Sequence, residues 1–366
     1  MKFRCERDVL VKALATAGRA SAGRGAARAV IRVDLQGDTL TLTGRGPDDL
    51  TISVMVRDRL NGLWPGSAVL PARQVSKVVK SLPAGEVLVE VAGGQARITA
   101  SSSELALGVD PVDEFPRPPE LAGESVTLDA AELAAALRQV VPAASSSDAR
   151  PILTGVLMAA EAGGLRLVAT DSYRLAVRDL PGWNVLDEGR SVLVPALALD
   201  NLTRVLAGVD TVTMRLGERD VRFDAGPVWL TTTLIGGEFP AYKGLIPSGY
   251  PNRLTVDRKT LVEGVRRMKP FARNAIPVRL VMSDGRVDLV VTDGFAELAR
   301  ETVDDVKYEG AKLTVGFDPE YLLHGLKALS GDEALIETAD AAGPALVTSP
   351  GHPEFVYLMM PVQVGP

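Results

Sequence analysis

One pattern occurs three times along this chain, and that repetition limits its possible folds more than any other feature. The first marker is a short strand followed by a helix with a recurring leucine. It runs through residues 3–6 with Leu10 and Leu14, residues 126–129 with Leu133 and Leu137, and residues 254–257 with Leu261 and Val265. The anchors Leu10, Leu133 and Leu261 are 123 and 128 residues apart. The second marker is an alternating strand that ends in a turn, at residues 40–44, 165–171 and 287–293, with Leu42, Leu167 and Leu289 spaced by 125 and 122. The third is a proline near the start of another helix, Pro71, Pro195 and Pro319, with both intervals equal to 124. Proline is tolerated there because its missing N–H would have no partner in the first helical turn.

A period near 124 residues is far above the roughly 20 to 50 of solenoid repeats, so each copy is expected to be a whole domain with its own core. With 366 residues, 46% of them apolar, the chain can fill three such cores. Period-2 runs such as residues 87–91 and 212–216 read as half-buried strands of largely antiparallel sheets. The expected class is therefore α+β, with two helices and several strands per domain. The boundaries fall near Gly123 and Pro251, giving domains 1–123, 124–251 and 252–366.

Cys5 is the single cysteine and cannot form an internal disulfide, while His324 and His352 stand alone, so neither a cofactor nor a metal site is expected. The N-terminus has no apolar signal core, and nowhere do 18 apolar residues run together, which favours a cytoplasmic setting without a membrane partner. The net charge of −6, from 46 acidic and 40 basic residues, argues at first against a phosphate-rich partner.

The distribution of charge argues the other way. Val75, Leu133, Leu199, Leu261 and Leu322 are apolar anchors of five helices. Five residues on, a helix has turned about 140° onto its solvent face, and there stand Lys80, Arg138, Arg204, Arg266 and Lys327. Arg73 and Lys77 share the Lys80 face, opposite Val75, Val78, Val79 and Leu82. Ala15 breaks the pattern in the remaining helix, and Glu263 sits on the solvent face of its own. A recurring basic face with only 5% aromatic residues suits sequence-independent phosphate contact better than base reading or base stacking.

Several segments together resemble the bacterial DNA polymerase III beta subunit family, the sliding clamps, along nearly the whole chain. They are residues 148–155 (DARPILTG), 169–176 (ATDSYRLA), 238–242 (EFPAY), 316–323 (GFDPEYLL) and 357–362 (YLMMPV). The resemblance implies three DNA-clamp domains in a head-to-tail homodimer, a pseudo-sixfold ring with helices inside and antiparallel sheets outside. That ring encircles duplex DNA without sequence preference and makes the replicative polymerase processive in DNA replication. It also implies a pocket for clamp-binding motifs of the polymerase III alpha subunit, the clamp loader and other partners. Carried onto this sequence, the pocket comprises Leu153, Thr170, Ser172, Tyr173, Arg174, Leu175, Pro240, Leu245, Asp318 and Tyr321 with the tail Leu358, Met359, Met360, Pro361, Val362 and on to Val364. Arg24 and Arg150 join the basic helix positions as DNA-facing, and Gln74, Val78, Leu82, Leu105, Leu107, Lys269 and Pro270 mark the dimer seam.

The chain also departs from the family pattern. Gly244 stands where a long polar side chain is usual, Gln363 replaces a basic residue, Leu105 an aromatic one, and Lys269 with Pro270 an apolar pair. The first copy has Gly44-Arg45 in place of Thr170-Asp171. These departures point to a divergent, actinobacterial-type paralogue, and raise the alternative of a specialised second clamp that resists an inhibitor mimicking clamp-binding peptides. A protein-only scaffold is a further alternative. An enzyme is disfavoured: Thr170-Asp171 and Thr292-Asp293 occupy equivalent turns, and no nucleophile-and-base arrangement or phosphate-cradling glycine loop accompanies them.

Overall fold

Each repeat opens on a strand whose last residue is acidic and precedes a helix. In two of the three, that carboxylate caps the helix: Asp129 Oδ1 accepts the Glu132 N–H at 2.7 Å, and Asp257 Oδ1 accepts the Thr260 N–H at 2.7 Å. Such caps satisfy amides that have no partner in the first turn. The computed structural model describes residues 1–21, 29–115, 121, 125–161, 163–247, 249–272, 276–293 and 296–362. Arg24, Gly123, Gln363 and Val364 lie outside the described residues.

The first repeat runs β1 (Lys2–Glu6), α1 (Arg7–Gly18), β2 (Val30–Gln36), β3 (Thr39–Arg45), β4 (Thr51–Val56), β5 (Leu60–Trp64), β6 (Gly66–Pro71), α2 (Ala72–Ser81), β7 (Glu86–Ala92), β8 (Gln95–Ala100) and β9 (Ser103–Gly108). The second runs β10 (Ser125–Asp129), α3 (Ala130–Val140), β11 (Gly155–Glu161), β12 (Gly164–Thr170), β13 (Arg174–Pro181), β14 (Ser191–Pro195), α4 (Ala196–Val205), β15 (Thr211–Leu216), β16 (Asp220–Ala225) and β17 (Val228–Thr233). The third runs β18 (Asn252–Asp257), α5 (Arg258–Met268), β19 (Val278–Ser283), β20 (Arg286–Thr292), β21 (Glu297–Asp304), β22 (Lys307–Glu309), β23 (Leu313–Phe317), α6 (Pro319–Ala328), β24 (Glu333–Thr338), β25 (Ala345–Thr348) and β26 (Phe355–Met359). The order is the same three times, apart from the extra strands β5 and β22. Pro319 begins α6, whereas Pro71 and Pro195 each end the strand one residue before the helix.

Every named strand pair is antiparallel, and two pairs join strands of different repeats. β17 pairs with β4, placing Leu230 opposite Ile52, and β13 pairs with β26, placing Leu175 opposite Leu358. By spatial packing the chain forms two compact units: residues Met1–Ala134 with Leu197–Leu234, and Ala135–Ala196 with Ile235–Pro366. Each shared sheet binds one half of the second repeat to a neighbouring repeat, so the compact units do not coincide with the repeats.

In the first unit, β5-β1-β7-β8-β9 form one sheet and β10-β15-β16-β17-β4-β3-β2-β6 another. α1 and α2 pack on each other, and Leu10, Leu14, Val75 and Val79 bury their apolar stripes against Phe3, Val33, Leu42, Val89 and Ile98. Each such side chain contributes roughly 2 kcal/mol by leaving water. The second unit holds β14-β11-β12-β13-β26-β25-β24-β18-β22 and β21-β20-β19-β23, with α5 packed on α6. None of the helices among the described residues is long and apolar enough to cross a membrane.

Candidate functional site

The five helix anchors are all buried, at 2% for Val75, 1% for Leu133 and 0% for Leu199, Leu261 and Leu322. Their partners Lys80, Arg138, Arg204, Arg266 and Lys327 are all exposed, as are Arg73 and Lys77. Arg204 pairs with Asp200 at 2.9 Å. Among the described residues the other six have no carboxylate within ion-pair distance. Unpaired surface cations remain open to an external anion, so these helix faces present mobile positive charge.

The second candidate site grows from the turn between β12 and β13. Asp171 organises it: Oδ1 accepts the N–H of Tyr173 at 2.9 Å and of Arg174 at 3.0 Å, the way a short carboxylate closes a turn on its own backbone. Thr170 Oγ1 donates to Arg174 O at 2.7 Å and accepts from Ser172 N at 3.1 Å. These bonds hold Ser172 at φ 81°, left-handed backbone that a side chain disfavours. Arg150 Nη1 donates to Ser172 Oγ at 2.8 Å and Nη2 reaches Asp171 O at 3.4 Å. Arg150, expected to face DNA, is exposed and gives part of its guanidinium to this turn.

Around the turn lies an apolar floor. Leu175 and Val177 pack with Val168, Tyr242, Leu346 and Leu358, and Phe239, Ile246 and Tyr250 pack against them. Phe239 and Tyr242 meet edge to face with centroids 6.2 Å apart. Leu153, Leu175 and Leu358 are at most 6% exposed and Met359 1%, so these four support the site from beneath. The accessible surface is Tyr173 at 61%, Leu245 at 58% and Met360 at 41%, together with exposed Ser172 and Pro240. The tail is tied down by Met360 N donating to Tyr173 O at 2.7 Å and Val362 N to Gly316 O at 2.8 Å, leaving Pro361 half-buried between them.

α6 supplies the polar wall. Asp318 caps the helix by accepting from Glu320 N at 2.8 Å and Tyr321 N at 3.1 Å. The Tyr321 ring lies 4.2 Å below the Arg174 guanidinium, while Arg174 Nε donates to Asp171 Oδ2 at 2.9 Å. Burial pushes the Tyr321 phenol up and, together with Arg174, pushes the His324 imidazole down. His324 was not foreseen as a site residue. Its signal was its place three residues after Tyr321 on one helix face.

A cavity of about 480 Å³ adjoins the site in the same unit, lined by Arg266, Lys269, Pro270, Ala272, Ile276, Pro277, Asp318, Pro319, Glu320 and Val362. It brings together residues expected in three roles: Asp318 and Val362 for peptide, Arg266 for DNA, and Lys269 and Pro270 for the seam. Lys269 forms an ion pair with Glu320. In the seam set, Leu105 and Gln74 are exposed and Val78 and Leu107 half-buried. Leu82 is a correction: at 4% exposure it belongs to the core of its own unit and has little surface to offer a second chain.

Models of the DNA polymerase III beta subunit match the chain domain by domain: the N-terminal domain over residues 1–119, the central domain over 127–241 and the C-terminal domain over 243–363. The chain is 30% identical to the beta sliding clamp of Streptomyces coelicolor, covering 100% of both. It is 29% identical to the beta sliding clamp homolog GriR of Streptomyces muensis, covering 99% of both. Among solved structures it is similar to the DNA polymerase sliding clamp of Bacillus subtilis, with TM-score 0.90 and 28% identity over the full length of each. It is likewise similar to the sliding clamp of Bartonella birtlesii bound to griselimycin, with TM-score 0.91 and 28% identity over the full length of each.

Proposed function

The chain belongs to the DNA polymerase III beta subunit family, the beta sliding clamps, and from that premise we propose that two copies close head to tail around duplex DNA, slide on it and tether the replicative polymerase. The observation that carries the ring is a pair of surplus strand edges. Two equivalent joints exist within the chain, β17 on β4 and β26 on β13, with Leu230 opposite Ile52 and Tyr357 opposite Ala176. The repeat leaves β9 and β21 as sheet ends. Following the registers through neighbouring strands, Leu105 corresponds to Leu230 and Tyr357, and Ala299 to Ile52 and Ala176. A third joint between copies therefore sets Leu105 opposite Ala299 and Glu104 opposite Arg300.

Open edges invite pairing with another chain, and closure of a head-to-tail contact yields a ring. Retention on DNA is then topological, which reconciles a net charge of −6 with a DNA partner. The unpaired cations on α2, α3, α5 and α6 supply weak, salt-sensitive phosphate contact. Clamp-binding motifs of the polymerase and clamp loader occupy the surface around Tyr173, Leu245 and Met360, in the cytoplasm, and the chain acts without catalysis. Retention on circular against linearised plasmid tests the whole reading: equal loss from both defeats encirclement and favours a protein-only scaffold. Sedimentation over a concentration range tests the seam. Glu104→Lys weakens self-association, and adding Arg300→Glu restores it.

Inhibitor resistance is a second reading, favoured by Gly244, which is exposed with open space around the position of a Cβ. Identity to GriR of 29% does not separate this reading from the housekeeping one, since the Streptomyces coelicolor clamp matches at 30%. Griselimycin affinity of this protein against its Gly244→Arg variant decides it. Equal affinity removes Gly244 as a resistance determinant.

A further inference from the structure

Arg174 is the buried cation of the pocket, and groups from the preceding turn and from α6 hold it. Its side chain is 9% exposed beside Asp171 at 11%. It stacks on Tyr321, and its Nη1 meets His324 Nδ1. A guanidinium has five N–H donors and no acceptor, and it stays protonated at any working pH. The contact therefore assigns the imidazole: Nδ1 accepts, the ring is neutral, and the ring proton is on Nε2. A proton added at Nδ1 would remove the hydrogen bond and set two cations against each other.

We propose that neutral His324 is a positioning residue for the peptide pocket, holding Arg174 against Asp171 and Tyr321, and that protonation of His324 weakens binding of clamp-motif peptides. This rests on the pocket reading above and adds a pH dependence to it. The groups facing the imidazole come from three elements. Arg174 approaches from β13, with Asp171 behind it. Glu320 and Lys327 act on it from α6 and Asp318 from the cap of that helix, Tyr321 lies under Arg174, and Tyr357 of β26 donates to Tyr321 O at 3.0 Å. Burial, Arg174 and Lys327 oppose the imidazolium, while Glu320 and Asp318 favour it, and the balance falls toward the neutral ring. The ring therefore titrates below its ordinary value of 6.5.

Anisotropy titration of the full-length protein with an end-capped, fluorescein-labelled peptide from the clamp-binding segment of polymerase III alpha tests this between pH 7.5 and 5.0. The wild type is expected to bind more weakly toward the acid end, by up to about tenfold for each pH unit below the His324 pKa. His324→Asn, which presents an amide oxygen and cannot titrate, is expected to give a flat profile, and His324→Leu weak binding throughout. A flat wild-type profile, or a His324→Asn profile as steep as wild type, overturns the proposal. Absence of peptide binding at every pH defeats the pocket reading itself, whereas binding that is indifferent to pH defeats only the role of His324. Nitrogen-15 spectra of the two imidazoles, His324 and His352, give a readout independent of peptide. A bare Nδ1 on His324 at pH 7.5 is expected, and a proton on Nδ1 overturns the assignment.

Discussion

The β12–β13 turn and its counterpart between β3 and β4 occupy the same place in the repeat, yet different groups meet them. In the first unit, the turn at residues 45–50 is closed by Gly46 N to Leu50 O at 2.8 Å and pairs Arg45 with Asp49. The end of α1 and the residues just after it crowd this corner: a Cβ at Gly44 would lie 1.9 Å from Ala17 O, and one at Gly46 1.8 Å from Ala20 O. Asp48 O is also occupied, accepting from Thr232 Oγ1 at 3.0 Å. In the second unit the corresponding strand position is Ala169, fully buried, and the turn is met instead by Arg150, Tyr321 and the tail. The repeat thus provides the turn, and what packs on it decides which groups it holds.

The comparison breaks most sharply at Gly44. Gly44→Val drives a side chain into helix backbone and should cost about 3 kcal/mol or more, as overpacking against an immobile neighbour does. Urea denaturation is expected to show this loss while peptide affinity of the surviving folded protein is unchanged. A cost under about 1 kcal/mol would mean the helix is free to withdraw, and the two turns differ less than their glycines imply.

Arg174→Ala is the reciprocal test. It strands the Asp171 carboxylate without its ion pair, though two backbone N–H groups still reach it. Breaking a buried pair from one side is strongly destabilising, and with that compensation the cost should be about 2 kcal/mol. Peptide affinity should fall at least about tenfold, the weight of one charge-assisted bond. The same change at Arg45, whose side chain is 40% exposed beside Asp49 at 63%, should cost under about 1 kcal/mol. Comparable losses at the two arginines would erase the distinction between the turns.

A finer effect lies in the backbone of Ser172. Ser172→Ala keeps the left-handed strain and loses the Arg150 bond, whereas Ser172→Gly loses the bond and relieves the strain. Glycine should therefore be the more stable of the two variants by about 1 kcal/mol. Identical chemical-denaturation midpoints would show that the turn relaxes when its bonds are cut.

The repeat was legible in the sequence because its markers are local: leucines at helical spacing, alternating strands and prolines each announce themselves within a few residues. The same held for the basic faces, where five-residue steps from Val75, Leu133, Leu199, Leu261 and Leu322 led to exposed cations in every case. What the sequence hid was long-range. Leu82 reads as part of the apolar stripe and is buried there, whereas its place at a seam between copies came only from the resemblance. Nothing within residues 148–155 points to the partners of Arg150, since Ser172 and Asp171 are 22 and 21 residues away. His324 lies 150 residues from Arg174, and no spacing rule links them. The joints β17–β4 and β13–β26 were likewise invisible, because edge pairing depends on how sheets meet rather than on any one strand's pattern.

The smallest expected effect separates the two turns by pH. In the second unit burial and Arg174 depress the His324 pKa, so the folded chain takes up that proton later than the unfolded chain does as pH falls. Between the ordinary imidazole value of 6.5 and the depressed folded value, the unfolded state binds more protons, and stability drops as pH falls through that window. Above 6.5 both states are neutral, and below the folded value both are charged, so the loss from this group levels off at either end. The melting temperature should therefore step down modestly on moving from pH 7.5 toward 5.5, before carboxylates begin to titrate, and His324→Asn should remove that step. The turn at residues 45–50 has arginine and aspartate but no imidazole, so Arg45→Ala should leave the step intact. A step of equal size in the His324→Asn protein would place its origin elsewhere in the chain and detach the pH response from the pocket.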